Sequence, residues 1–95
     1  MRCDRVVFSG HAIQRMFQRD VGHASVNAVI ASGESIAEYP DDKPYPSRLI
    51  LGFVEGRPIH VVVAWDVETS TCIVVTAYEP PPEQWEQGFK KRRQG

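Results

Sequence analysis

Arg48-Leu-Ile-Leu-Gly-Phe-Val-Glu-Gly-Arg-Pro-Ile-His-Val-Val-Val-Ala-Trp65 is two apolar, β-branched runs separated by Glu55-Gly56-Arg57. Such runs on either side of a short glycine-containing turn read as a β-hairpin. With Glu55 and Gly56 as the loop, Val54 lies opposite Arg57 and Leu51 opposite His60. A third run, Thr71 to Tyr78, follows a polar turn at 66–70, and one setting of that turn has Tyr78 opposite His60. His60 then shares one face with Leu49, Leu51, Phe53, Val62, Thr76 and Tyr78. Ile50, Ile59, Val61, Val63, Trp65, Ile73 and Val75 make the other. Both faces are apolar, so both need cover.

Upstream the apolar period changes from two to about four. Ser9 stands where an N-cap belongs, for a helix from Gly10 to about Asp20. At about 100° per residue, Ala12, Ile13, Met16 and Phe17 fall on one side of it. His11, Gln14, Arg15 and Gln18 fall on the other, with Arg19 at the border. Gly22 suits the position just past the helix end, and His23 lies in the turn. A second helix opens at Ala24 or Ser25, carries Val26, Val29 and Ile30, and closes at Ser32-Gly33. Together the two make an αα-hairpin that covers one sheet face. The other face calls for the C-terminal segment, a second copy or a different protein.

Arg5–Phe8 and Ser35–Tyr39 read as shorter strands, and the three prolines of 40–46 make that segment a loop. Pro80-Pro-Pro82 ends the sheet. Residues 83–93 suit a helical turn or two, with Trp85 and Phe89 at i, i+4 docking on the sheet. The expected architecture is one α+β domain spanning 1–95. It has an N-terminal strand and αα-hairpin packed on a twisted antiparallel sheet of about four strands, a short C-terminal helical segment and a basic tail at 90–95.

No apolar run is long enough to span a bilayer, and Arg2, Asp4 and Arg5 interrupt any leader, so a cytoplasmic protein without a membrane partner is expected. Cys3 and Cys72 lack metal-type spacing. Reduced thiols are the favoured reading, with a disulfide left open. The net charge of −1 argues against strong non-specific nucleic-acid binding. The charges are segregated, however. Glu34, Glu38, Asp41 and Asp42 form an acidic middle. Arg2, Arg5, Arg15 and Arg19 enrich the N-terminus, and Lys90, Lys91, Arg92 and Arg93 the C-terminus, so a local positive patch is available.

There is no glycine-rich phosphate loop, no paired-cysteine ligand set, no H-E-x-x-H and no G-x-S-x-G. The three histidines lack metal-ligand spacing, so no metal and no cofactor are expected. Acid–base cleavage of RNA remains available, because the substrate's 2′-hydroxyl is the nucleophile and the protein supplies a base, an acid and cations. His11 and Arg15, four apart on a helix, converge on one anion, and the guanidinium fork suits phosphate. His60 and Tyr78 are cross-strand neighbours fit for proton transfer. Arg48 is a rim residue with access to a ligand, and Trp85 is core first and a base-stacking surface second. Lys90, Lys91, Arg92 and Arg93 suit an RNA-binding arm.

The element order resembles the RelE/ParE superfamily of small bacterial toxins. It is closer still to a bacterial domain-of-unknown-function family of RelE-like architecture. The matching residues are His11-Ala-Ile-Gln-Arg15-Met-Phe-Gln-Arg19, Gly33-Glu34-Ser-Ile, Leu51 through His60-Val-Val, and Thr76-Ala-Tyr78-Glu-Pro80 with Trp85 beyond. The resemblance implies the toxin of a toxin–antitoxin pair, with a cognate antitoxin as partner. It implies a metal-independent endoribonuclease acting on mRNA, free or on the ribosome, with a homodimer also open. It implies a catalytic set of His11, Arg15, Arg19, His60 and Tyr78. Other members of that superfamily inhibit gyrase or only bind. A gyrase-inhibiting toxin or a non-catalytic protein-binding module is therefore the alternative expectation.

Overall fold

In the computed structural model, which describes residues 1–94, the elements run β1 (Arg5–Phe8), α1 (Gly10–Arg19), α2 (His23–Ser32), β2 (Glu34–Tyr39), β3 (Ser47–Val54), β4 (Arg57–Asp66) and β5 (Thr71–Tyr78). The fold is α+β. The hairpin register is the expected one: Val54 faces Arg57, Leu51 faces His60, and His60 faces Tyr78 across β4 and β5. The sheet has five strands in the order β1-β5-β4-β3-β2 and is mixed, not an antiparallel sheet of about four. The extra strand is β1, which pairs in parallel with β5. Parallel partners need a long crossover, so no local turn signal marks them in a sequence.

That pairing sets Val6 beside Cys72 and brings Cys3, just upstream, to the same place. Cys3 and Cys72 form a disulfide with their Cα atoms 5.3 Å apart, so the expectation of free thiols is corrected. A bond closing a loop this long removes about 4 kcal/mol of chain entropy from the unfolded state. Among the described residues, no helix is long and apolar enough to cross a membrane.

Ser9 caps α1, its Oγ accepting from the Ala12 amide at 3.0 Å. The helix ends earlier than Gly22 would end it. Asp20 itself takes the left-handed conformation (φ 56°), and its N–H donates back to the carbonyls of Met16 and Phe17. Aspartate is among the few non-glycine residues that tolerate this region. Gly22 therefore caps the start of α2, and His23 is that helix's first residue, not a turn residue.

α1 is also rolled on the sheet relative to its sequence pattern. Only Ala12 and Met16 are buried, while Ile13 is 45% and Phe17 89% exposed. The docked seam is turned by about 50° from the expected one, given 100° per residue. The turn carries Arg19 inward, where its guanidinium donates to the Ala77 carbonyl at 3.2 Å and lies 3.4 Å from the Thr76 hydroxyl. A cationic border residue has gained sheet contacts at the expense of two apolar ones.

The core lies between the helices and one sheet face, with Met16, Val26 and Val29 against Ile59, Val61 and Val63. Ile73 and Val75 were expected on this face and are not there. The ladder shifts after Val62↔Thr76 to Val63↔Val74, leaving Val75 as an extra residue. Such a bulge swaps the facing of everything beyond it. Cys72 and Val74 take the core positions.

Gly33 joins α2 to β2 at a point where backbones nearly touch. A Cβ there would lie 2.5 Å from the Val29 carbonyl oxygen and 2.7 Å from that of Leu51. Backbone atoms do not yield as side chains do. Gly33→Ala is expected to cost about 3 kcal/mol, the upper end of overpacking, read as a lowered midpoint in urea unfolding.

The second face is covered over His60 by the C-terminal segment. That segment is not helical, as expected, but a tight loop. Trp85 and Arg92 form an antiparallel bridge, with Gly88 (φ 93°) and Phe89 (φ 62°) turning the chain between them. Amide bonds from Glu86 to Lys91 and from Arg93 to Gln84, both 2.8 Å, close it. The basic tail is thus folded back through Arg93 rather than free, and Gly95 lies outside the described residues. Phe53 and Val75 remain 58% and 39% exposed on the uncovered part of this face.

Candidate active site

The buried centre of this region is His60, which is fully shielded from solvent. Its Nε2 lies 2.8 Å from the Phe89 carbonyl, which can only accept, so Nε2 carries the hydrogen. Nδ1 is then the free lone pair, and the Tyr78 hydroxyl 3.3 Å away donates to it. The indole of Trp85 stands edge-on to the imidazole at 4.4 Å and 87°. Every polar atom of His60 is satisfied, as burial demands.

Burial holds the His60 pKa below the usual 6.5, and the bond to Phe89 opposes this without reversing it. The imidazole is therefore neutral at neutral pH. Burial, reinforced by Tyr39, pushes Tyr78 above 10, against the pull of Arg92 and Arg19, so its hydroxyl stays protonated. The histidine shift has a consequence for stability. An unfolded chain protonates His60 near 6.5 while the folded one resists, so the unfolded state binds more protons below that pH. Stability is expected to fall as pH drops from about 6.5 toward 5. His60→Gln should flatten that part of the curve, measured by urea unfolding at each pH.

Tyr78 opens outward into a cleft of about 560 Å³ lined by Arg19, Arg57, Glu79, Pro81, Gln84, Trp85 and Arg92. Three guanidinium groups from three parts of the chain meet there. Arg19 arrives from the end of α1 and lies 5.8 Å over the Tyr78 ring. Arg92 arrives from the C-terminal loop and stacks 5.6 Å over Trp85. Arg57, at the start of β4, is anchored by Glu79 at 2.6 Å and by the carbonyls of Asp20 at 2.7 Å and Arg19 at 3.2 Å. Among the described residues, Glu79 carries the only carboxylate that lines the cleft, and Arg57 already neutralises it. The arrangement has donors for a phosphate, a hydroxyl oxygen with lone pairs toward solvent, and a neutral imidazole behind that hydroxyl.

Of the expected catalytic set, Arg19, His60 and Tyr78 come together, and Arg92 joins them from the expected RNA-binding arm. His11 and Arg15 do not line the cleft. His11 sits about 12 Å up the helix axis from Arg19 at 1.5 Å per residue. Arg48 faces a different recess with Pro40, Pro46 and Trp65, and pairs with Glu38 at 3.5 Å. Lys90 pairs with Glu34 at 3.0 Å, and Arg93 donates to the Pro82 carbonyl. Lys91 is exposed, and its carbonyl serves the loop. Among the described residues, no group of three or more His, Cys, Asp or Glu is placed to hold a metal.

Arg57, Glu79 and Gln84 were not singled out from the sequence. A signal for two of them existed. Continuing the His60↔Tyr78 register past the end of β5 carries Arg57 alongside Glu79 and the prolines.

A family model described as a domain of unknown function (DUF4258) matches residues 8–79. That stretch holds Arg19, Arg57, His60, Tyr78 and Glu79 and stops short of Trp85 and Arg92. No curated protein and no solved structure matches the chain.

Proposed function

We propose that this protein, which belongs to the DUF4258 family, is a RelE-like, toxin-like endoribonuclease that cuts mRNA in the cytoplasm without a metal ion. The observation that supports this reading is the meeting of Arg19, Arg57 and Arg92 around the Tyr78 hydroxyl in one open cleft, with neutral His60 behind it. Guanidinium forks are suited to phosphate and to the extra charge that it gains in a five-coordinate transition state.

In the reaction this suggests, the ribose 2′-oxygen bonds to the adjacent phosphorus while its proton passes to the Tyr78 oxygen. The proton of Tyr78 moves in turn to His60 Nδ1. The bond from phosphorus to the 5′-oxygen breaks, and that oxygen takes a proton from solvent. The imidazolium formed has an acceptor for each N–H, Phe89 and Tyr78, and later returns its proton through Tyr78. The products are a 2′,3′-cyclic phosphate and a 5′-hydroxyl. Tyr78 touches substrate, and His60 acts through it.

The test is purified protein with single-stranded RNA in chelator, followed by mapping of the new ends. Cyclic-phosphate and 5′-hydroxyl termini support the proposal, and intact RNA over hours overturns it.

A second reading rests on a separate observation. Phe17 is 89% exposed beside Ile13 on the flank of α1 away from the cleft, in a recess with Val21 and His23. This apolar flank suits a cognate antitoxin or another partner protein. A non-catalytic or gyrase-binding module would use it without the cleft.

A further inference from the structure

α1 has three differently used sides. Ala12 and Met16 form the buried ridge. Ile13, Phe17 and Asp20 line the apolar recess on one flank. His11, Arg15 and Arg19 lie on the other flank at i, i+4 and i+8, about 120°, 80° and 40° round from the centre of the buried ridge. The last of these three is already a wall of the cleft. His11 and Arg15 are exposed, and neither takes part in an ion pair among the described residues.

We propose that His11, Arg15 and Arg19 form a track for the phosphate backbone of single-stranded RNA, leading the strand out of the cleft and along α1. This rests on the cleft being an RNA site and names where the rest of the strand goes. The geometry fits a polymer. Each four-residue step rises about 6 Å along the helix axis, comparable with the step from one phosphate to the next in an extended strand. Neighbours in the series can share one phosphate, but the three together extend about 12 Å along the axis and drift by about 40° per step, which suits successive phosphates of a strand.

The charge distribution points the same way. α1 carries no carboxylate between Gly10 and Arg19. The acidic residues Glu34 and Glu38 lie on β2, at the sheet edge farthest from β5, the strand against which α1 packs. A neutral protein thereby keeps one cationic lane, and that lane is continuous with the cleft. An acidic protein partner would also meet positive charge here, but the lane's even spacing and its opening into the cleft favour a nucleic-acid strand.

The experiment uses 2′-O-methyl RNA, which cannot be cut, as a labelled trimer and a labelled ten-mer, with affinity read by fluorescence anisotropy across a salt series. The trimer fills the cleft, and the ten-mer also reaches the helix. Arg15→Ala is expected to weaken the ten-mer three- to tenfold. It should lower the slope of log affinity against log salt by about 0.7, the value for one phosphate contact on a single strand. The trimer should stay within twofold, and Arg15→Lys should restore the slope. If Arg15→Ala binds the ten-mer as the parent does, with the same slope, the track is wrong while the cleft stands. If the parent binds neither oligonucleotide, both proposals fall. If Arg15→Ala weakens only a complex with an acidic protein, the lane belongs to that partner and the RNA track is overturned.

Discussion

Tyr78→Phe is expected to slow RNA cleavage at least about a hundredfold, the lower end for removing a proton-transfer group, while leaving the fold in place. Among the described residues that line the cleft, Tyr78 is the one hydrogen-bonded to His60. Phenylalanine keeps the ring under Arg19 and against the imidazole, so packing is conserved. Nδ1 of the buried His60 loses its donor, at a cost of about 1–3 kcal/mol, which a melting curve will register as a shift of several degrees with the transition still cooperative. Cleavage rate and melting temperature must therefore separate. A variant that cuts RNA within threefold of the parent would remove Tyr78 from the chemistry. One that melts far lower would make its role structural.

His60→Leu is expected to have the largest effect on stability of any change near the site, about 3 kcal/mol. Leucine fills much of the volume, so the cost comes chiefly from polar groups left without partners, at about 1–3 kcal/mol each. The Phe89 carbonyl loses its donor and the Tyr78 hydroxyl its acceptor. The C-terminal loop is held to the sheet by that carbonyl and by Trp85 against the imidazole. It should loosen ahead of the rest. Hydrogen exchange at the Glu86 and Arg93 amides, which close the loop, is expected to speed up well before the strand amides of β4 do. Unchanged exchange with unchanged stability would mean that His60 is not what holds the segment down.

The hairpin and its partner strand could be read directly, because alternation and turn chemistry are local. The pairing of His60 with Tyr78 followed only on one setting of the turn at 66–70, and the ladder adopts that setting. The errors came where a distant element decides. The parallel pairing of β1, and with it the disulfide, depends on a partner about seventy residues away. Val75 inserts one residue into β5, and nothing in a uniformly apolar run marks where. The seam of α1 was read from Ile13 and Phe17 as strongly as from Ala12 and Met16, but contacts of Arg19 with β5 accompany a different roll. The cleft was half legible. His60 and Tyr78 follow from the strand reading, Arg19 was implied by the family resemblance, Arg92 was placed on a free arm, and Arg57 hides at a turn where its partners come from three segments.

The central claim is that Arg19 and Arg92, brought from opposite ends of the chain, hold RNA phosphate in front of Tyr78. It is tested most directly by the affinity of an uncleavable single-stranded RNA for the parent and for the Arg19→Ala/Arg92→Ala double variant at one fixed salt concentration. Two phosphate contacts at roughly 1–1.5 kcal/mol each give an expected loss of about thirtyfold or more, measured below the melting temperature of both proteins because the variant also loses the contacts of Arg19 with β5 and of Arg92 with Trp85. Equal affinities in the two proteins would contradict the account, because the guanidinium groups would then be bystanders to RNA.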